Sequence, residues 1–314
     1  MDSGRHAGPP SRFAAAIYAT AVAMAMAAAA SGADGPADGP ADAPADAPAD
    51  GPAAIATRGV EVAAGVWAGL PDGTLRFDAP QDAAALRPLA GAADWERFTA
   101  DSPTAPVTVT IEPFPAGETR LAHRVRAAFT LLAPLEKLRA DETLRRTLGA
   151  EQDTKGATSR PLTDDELQEA GLTIADADRE RLVFLEVPLL NRVTIRGVVR
   201  TVATEHPDGV EVAWGFDPRL REHPLWRATW TRMTENQLGE RVEGEPQPYL
   251  GCGGVIAARK IGSRDGLDLL AIESRMVLGE PEAWFQGSNL LRSKIPLTVQ
   301  EGVRTLRRRL AATR

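Results

Sequence analysis

The sequence predicts an α+β protein: a curved antiparallel sheet of about seven strands packed on one long C-terminal helix. Three observations carry this. Apolar and polar residues alternate with a period of two from Arg181 to Leu278. His206-Pro207-Asp208-Gly209 and Ser263-Arg264-Asp265-Gly266 are tight-turn signals between consecutive alternating runs, so those runs pair as hairpins. Finally, Leu291, Ile295, Val299, Val303, Leu306 and Leu310 recur at helical spacing, and such a stripe needs an apolar surface to lie on.

Before the folded body come two segments of different composition. Arg5 and Arg12 precede an uncharged run from Phe13 to Ala30, followed by small residues at Ser31-Gly32-Ala33. That order is the one a secretory signal requires, and it predicts export to a periplasm or medium with cleavage near residue 33. Alanine dominates the run and partitions weakly into hydrocarbon, so an uncleaved membrane anchor is the alternative. Residues 34–54 hold most of a repeated Ala-Asp-(Gly/Ala)-Pro unit with no large apolar side chain, which predicts a disordered acidic tether. Its deletion is expected to leave the melting temperature nearly unchanged.

The remaining body is close to neutral, because residues 1–54 contribute −4 of the chain's net −7. That balance gives no surface for nucleic acid. A single cysteine, Cys252, excludes an intramolecular disulfide and any zinc site built from several thiolates. His123, His206 and His223 show no i, i+4 spacing, so no metal site is expected, and nothing in the sequence calls for a cofactor.

Within the body, residues 55–100 form an N-terminal extension. Val60 to Trp67 and Leu75 to Phe77 flank Pro71-Asp72-Gly73, which predicts a hairpin. A first strand is expected over Val107 to Ile111, stopped by Pro113 and Pro115. Leu121, Val125, Phe129, Leu132 and Leu135 then recur at three and four residues, which predicts an amphipathic helix kinked at Pro134 and continued to Gly149. Thr163-Asp164-Asp165-Glu166 is a capping box, and Gly171 ends its short helix. Six strands follow, over 181–187, 192–204, 210–216, 225–233, 254–261 and 267–278. Ser288 and Asn289 are N-cap candidates for the last helix, Pro296 is expected to bend it, and Arg304, Arg307, Arg308 and Arg309 complete its solvated, cationic end.

This order of elements over residues 105–312, with Trp284-Phe285-Gln286-Gly287-Ser288-Asn289 leading into the last helix, resembles the START and polyketide-cyclase-like (SRPBCC) superfamily. The resemblance implies a helix-grip fold, in which a curved sheet grips the C-terminal helix around an apolar cavity. Members commonly hold lipids, sterols or polyketides there, and those that are enzymes place a few polar residues inside it.

Aromatic residues concentrate where such a cavity needs a wall: Trp214, Phe216, Trp226, Trp230, Trp284 and Phe285. Trp214 shares a strand face with Phe216, and Trp226 with Trp230, by parity. They are the candidate ligand-binding residues, against the alternative of core packing. The expected function is an exported binding protein for a hydrophobic small molecule or lipid. Two alternatives stand: a cyclase- or hydrolase-like enzyme using Arg275, Glu273 or His206 in the same cavity, and a ligand-free interaction domain. Gly262-Ser263-Arg264-Asp265-Gly266 is no nucleophile elbow, since its serine stands one place early. Cys252 reads as a small buried filler. The catalytic residues, the ligand and the oligomeric state are not readable.

Overall fold

The structure, a computed structural model, describes residues 52–115, 121–140, 158–174, 179–189, 192–235, 241–282, 284 and 290–312. In chain order the elements are α1 (Pro52–Arg58), β1 (Val60–Ala63), β2 (Val66–Ala68), α2 (Ala83–Leu86), α3 (Trp95–Phe98), β3 (Thr108–Pro115), β4 (Leu121–Leu132) and α4 (Leu135–Ala140). These are followed by β5 (Thr158–Pro161), α5 (Asp164–Glu169), β6 (Glu180–Leu189), β7 (Val193–His206), β8 (Gly209–Phe216) and β9 (Thr229–Glu235). Last come β10 (Arg241–Glu243), β11 (Gln247–Pro248), β12 (Cys252–Arg264), β13 (Leu267–Glu280) and α6 (Leu290–Ala312). The proposed signal, nearly all of the tether, Phe285 and the Ser288-Asn289 caps lie outside the described residues. Pro52 to Ala54, read as tether, belong to α1, so the deletion that tests the tether ends at residue 51.

An eleven-stranded antiparallel sheet runs in the order β10-β9-β7-β8-β12-β13-β4-β3, with β6 and β5 added beside β7 and β11 beside β9. Parity divides it into two faces. On the inner face Val125, Ala127, Phe129 and Leu131 of β4, Ile256 and Ala258 of β12, and Leu270, Ile272, Met276 and Leu278 of β13 form one core with Ile295, Val299, Val303, Leu306 and Leu310 of α6. The stripe read from the sequence is therefore, from Ile295 to Leu310, the docked face of the last helix, and the architecture is that of a helix-grip fold.

Four strands exceed the expected seven, and β4 is the instructive one. The helix expected from Leu121 to Leu135 is instead a strand to Leu132, with α4 after Pro134, and the expected continuation to Gly149 lies outside the described residues. Spacings of four suit a strand as well as a helix, because positions 121, 125 and 129 share parity. The intervening Ala127 and Leu131 complete the inner row, and Arg124 and Arg126 stand at the opposite parity. Pro113 does not end β3 but lies within it, where an edge strand tolerates a missing donor, and Pro115 is its last residue. The Asp268 carboxylate accepts from the Leu135 amide at 2.8 Å and so caps α4. The Thr163–Glu166 capping box is present in both directions.

β7 changes partner along its length. Val193 to Arg196 pair with β9 and Val199 to His206 with β8. Gly197 stands at the junction, where an added Cβ would lie 2.8 Å from the Ala228 Cα and 2.9 Å from the Phe216 ring.

The outer face is covered too. Residues 52–105 run across β8, β12, β13 and β4 as a strap. Its hairpin is β1–β2, turning at Gly65 in the left-handed region, and not the one expected around Pro71-Asp72-Gly73. Leu75, Leu86, Leu89 and Phe98 pack on Ala128, Ala257 and Ala271 of the sheet. Nearer the start of the strap, Val60, Val62 and Ala68 pack on Ala122 and Val277. Small residues on the sheet side let the strap approach closely.

Candidate functional site

The inner face under α6 is built in rungs. One crosses five strands as Thr201, Trp214, Gly254, Met276 and Val125. Its neighbour brings Val199 opposite Phe216, and Cys252 opposite Leu278 opposite His123. On the other side Ser274 stands between Ile256 and Ala127. These rungs are apolar except at a few atoms. The Trp214 Nε1, Thr201 Oγ1, Ser274 Oγ and His123 Nδ1 are all buried and have no hydrogen-bond partner among the described residues. A buried polar atom without a partner costs about 1–3 kcal/mol, so four on one face of a core is a costly arrangement.

Above the second rung lies an aromatic group. Trp230 and Trp284 approach to 5.5 Å between ring centroids, Tyr249 and Trp284 to 5.8 Å, and Phe216 and Tyr249 to 5.6 Å edge-on. The Tyr249 hydroxyl lies 3.0 Å from the Gly251 carbonyl and 2.9 Å from that of Gly279. Burial raises its pKa well above the ordinary range, with Cys252 and Glu280 adding to the effect, so it stays a neutral donor. At the end of this row the His123 Nε2 and Glu280 Oε2 are 3.0 Å apart, both side chains buried. Burial pushes the Cys252 thiol up to about 12, which leaves it protonated and unreactive at neutral pH.

Of the six aromatic residues singled out, Trp214, Phe216, Trp230 and Trp284 share this inner core. Trp226 does not. It packs with Leu182, Val198 and Leu220 on the outer face, edge-on to Phe184 at 6.0 Å. The expected strand from Leu225 begins only at Thr229, after a 3-10 turn over Pro218–Leu220, so parity counted through Trp226 had no strand to refer to.

The polar residues considered for catalysis are also elsewhere. Glu273 and Arg275 point to the outer face, where Glu273 accepts from the Thr74 and Leu75 amides and from Arg126. His206 stacks on Phe77 at 3.9 Å, 5° from parallel. Glu273 and His206 hold the strap, Arg275 lies beside Gly73 and 4.0 Å from Glu211 of β8, and none of the three lies between sheet and helix. Among the described residues, no three His, Cys, Asp or Glu side chains group as a metal site requires.

Sequence reasoning missed His123, Glu280, Tyr249, Thr201 and Ser274. For His123 the signal was present: once residues 121–132 are read as a strand, its parity matches Val125 and Phe129.

No family model and no curated protein matches this chain. Among solved structures it is similar to the "Human StarD13 (DLC2) lipid transfer and protein localization domain", at 10% identity and a TM-score of 0.30, over 62% of this chain and 87% of that one. The architecture stated above rests on strand order and the docked helix, not on that likeness. Among the described residues no helix is long and apolar enough to cross a membrane.

Proposed function

We propose that this protein is an exported carrier of an apolar small molecule or lipid, held between the inner face of the sheet and α6. One observation supports it above the others: polar atoms of Thr201, Trp214, Ser274 and His123 that have no partner among the described residues are spread over an otherwise apolar wall. Sparse polar groups on an apolar surface are what fixes the orientation of a mostly hydrocarbon ligand. The export half of the reading rests on the charge and hydropathy pattern of residues 1–33.

Thr201→Val separates a ligand role from a structural one. Removing a hydroxyl that has no partner is expected to raise stability by about 1 kcal/mol. The same change is expected to weaken Nile red uptake severalfold, with thermal melting and fluorescence titration as the two readouts. Native mass spectrometry of the mature protein is expected to show a co-purified apolar species. A second reading is favoured by the mutual packing of Trp230, Trp284, Tyr249 and Phe216: a self-filled interior in an interaction domain. Nile red uptake that is absent in the parent, or unchanged in both Thr201→Val and Trp214→Phe, selects that reading and ends the first.

A further inference from the structure

At the other end of β4 from His123, a pocket of about 100 Å³ opens between the C-terminal turns of α6, the strap and the end of the sheet. A cavity of about 150 Å³ holds a benzene molecule, so this one has room for a few heavy atoms. Its walls include Leu131, Leu132, Leu269 and Leu310, and Arg307 reaches into this apolar setting from α6. The Arg307 Nε donates to the Thr130 carbonyl at 3.0 Å and its Nη1 to the Ala105 carbonyl at 2.5 Å. Only 7% of the residue is exposed, and its Nη2 is buried with no hydrogen-bond partner among the described residues.

The hydroxyls around the pocket are already committed. Thr130 donates to the Phe98 carbonyl at 2.7 Å, Thr99 to the Trp95 carbonyl at 2.9 Å, and Ser102 pairs with Thr104 at 3.0 Å. Burial lowers the Arg307 pKa to about 10, opposed by the charge of Asp101 on the pocket's rim. The guanidinium thus remains charged at neutral pH, and an anion is the chemistry that pairs with its remaining donor.

We propose that this pocket binds a carboxylate, for which the Arg307 Nη2, closed off from the pocket in the unliganded structure, turns to donate to a carboxylate oxygen while the attached alkyl chain lies among the four leucines. Apolar walls select a carboxylate with a hydrocarbon part over an inorganic oxyanion. The acid is either a free short-chain one or the end of a longer acyl chain. Asp101 competes for the same guanidinium, so its neutralisation strengthens binding.

The test titrates the full-length exported protein with butyrate, dodecanoate, n-butanol and sulfate, following the Arg307 side-chain ¹⁵N resonances by NMR. Butyrate is expected to move them and to bind about tenfold or more tighter than n-butanol, as loss of a charge-assisted hydrogen bond implies. Dodecanoate binding more tightly than butyrate identifies the longer source, and equal binding the short one. Asp101→Asn is expected to tighten butyrate severalfold, while Arg307→Gln, which lacks the reporting resonances and is followed by isothermal titration calorimetry, is expected to bind butyrate no tighter than n-butanol. Arg307 resonances that ignore butyrate overturn the proposal, as do n-butanol or sulfate binding as well as butyrate, or an Asp101→Asn protein that binds butyrate no better.

Discussion

Leu306→Asp is expected to destabilise the protein by about 4 kcal/mol or more, and Arg307→Asp by a comparable amount, although the two residues fall on opposite sides of the expected stripe. Leu306 is 4% exposed within the α6 seam, so an aspartate there places an unpaired carboxylate among Val299, Val303 and the inner face of the sheet. For Arg307 the loss has a different origin. Its guanidinium satisfies two buried carbonyls, of Thr130 and Ala105, and a carboxylate in its place can donate to neither. Arg308, whose side chain is 60% exposed beside Glu301, is the control and should change stability by less than about 0.5 kcal/mol on replacement with aspartate. Melting temperatures of the three variants decide the matter. A drop of roughly 10 °C is expected for each of the first two, and an Arg307→Asp protein that melts like Arg308→Asp overturns the account.

The contrast between Leu306 and Arg307 shows where the sequence was legible. Leu291 to Leu310 state their own docking face, since six apolar residues at helical spacing have one physical use. The hairpins β7–β8 and β12–β13 were legible for a similar reason, because Asp-Gly steps at 208–209 and 265–266 break two long alternating runs. Arg307 was not legible, because an arginine beside three others reads as a solvated end until a carbonyl is known to lie within reach. Strand β4 failed because spacings of four serve a helix and a strand alike, and that error hid His123 as a member of the inner face. The extra residues 55–100 carried only short alternating runs at 60–67 and 75–77, which announced a hairpin but not what it packs on. Their placement depends on Ala128, Ala257 and Ala271, whose smallness says nothing until strands β4, β12 and β13 are adjacent.

That strap supplies the second large effect. Glu273 is 1% exposed on the outer face, and its carboxylate accepts from the Thr74 and Leu75 amides, each at 2.8 Å, and from the Arg126 Nε at 2.6 Å. The Arg126 Nη2 in turn donates to the Thr74 hydroxyl at 2.7 Å, so one acid organises both the strap backbone and a neighbouring cation. Glu273→Ala leaves two amides and the Nε of a largely buried guanidinium without an acceptor, and is expected to cost about 3–5 kcal/mol. Glu273→Gln keeps one oxygen for the amides but removes the charge that faces Arg126, so it should fall between the alanine variant and the parent. Limited proteolysis separates local release of the strap from global loss: cleavage within residues 71–81 should accelerate in Glu273→Ala at temperatures where the sheet remains folded. An alanine variant with parental melting and parental cleavage would sink the account. Its consequence reaches beyond one residue, because a chain begun at residue 101, where the sequence alone places the start of the domain, would expose Ala128, Ala257 and Ala271 together with a Glu273 that has lost the Thr74 and Leu75 amides. Such a chain is expected to aggregate, since the strap is what covers that face of the sheet.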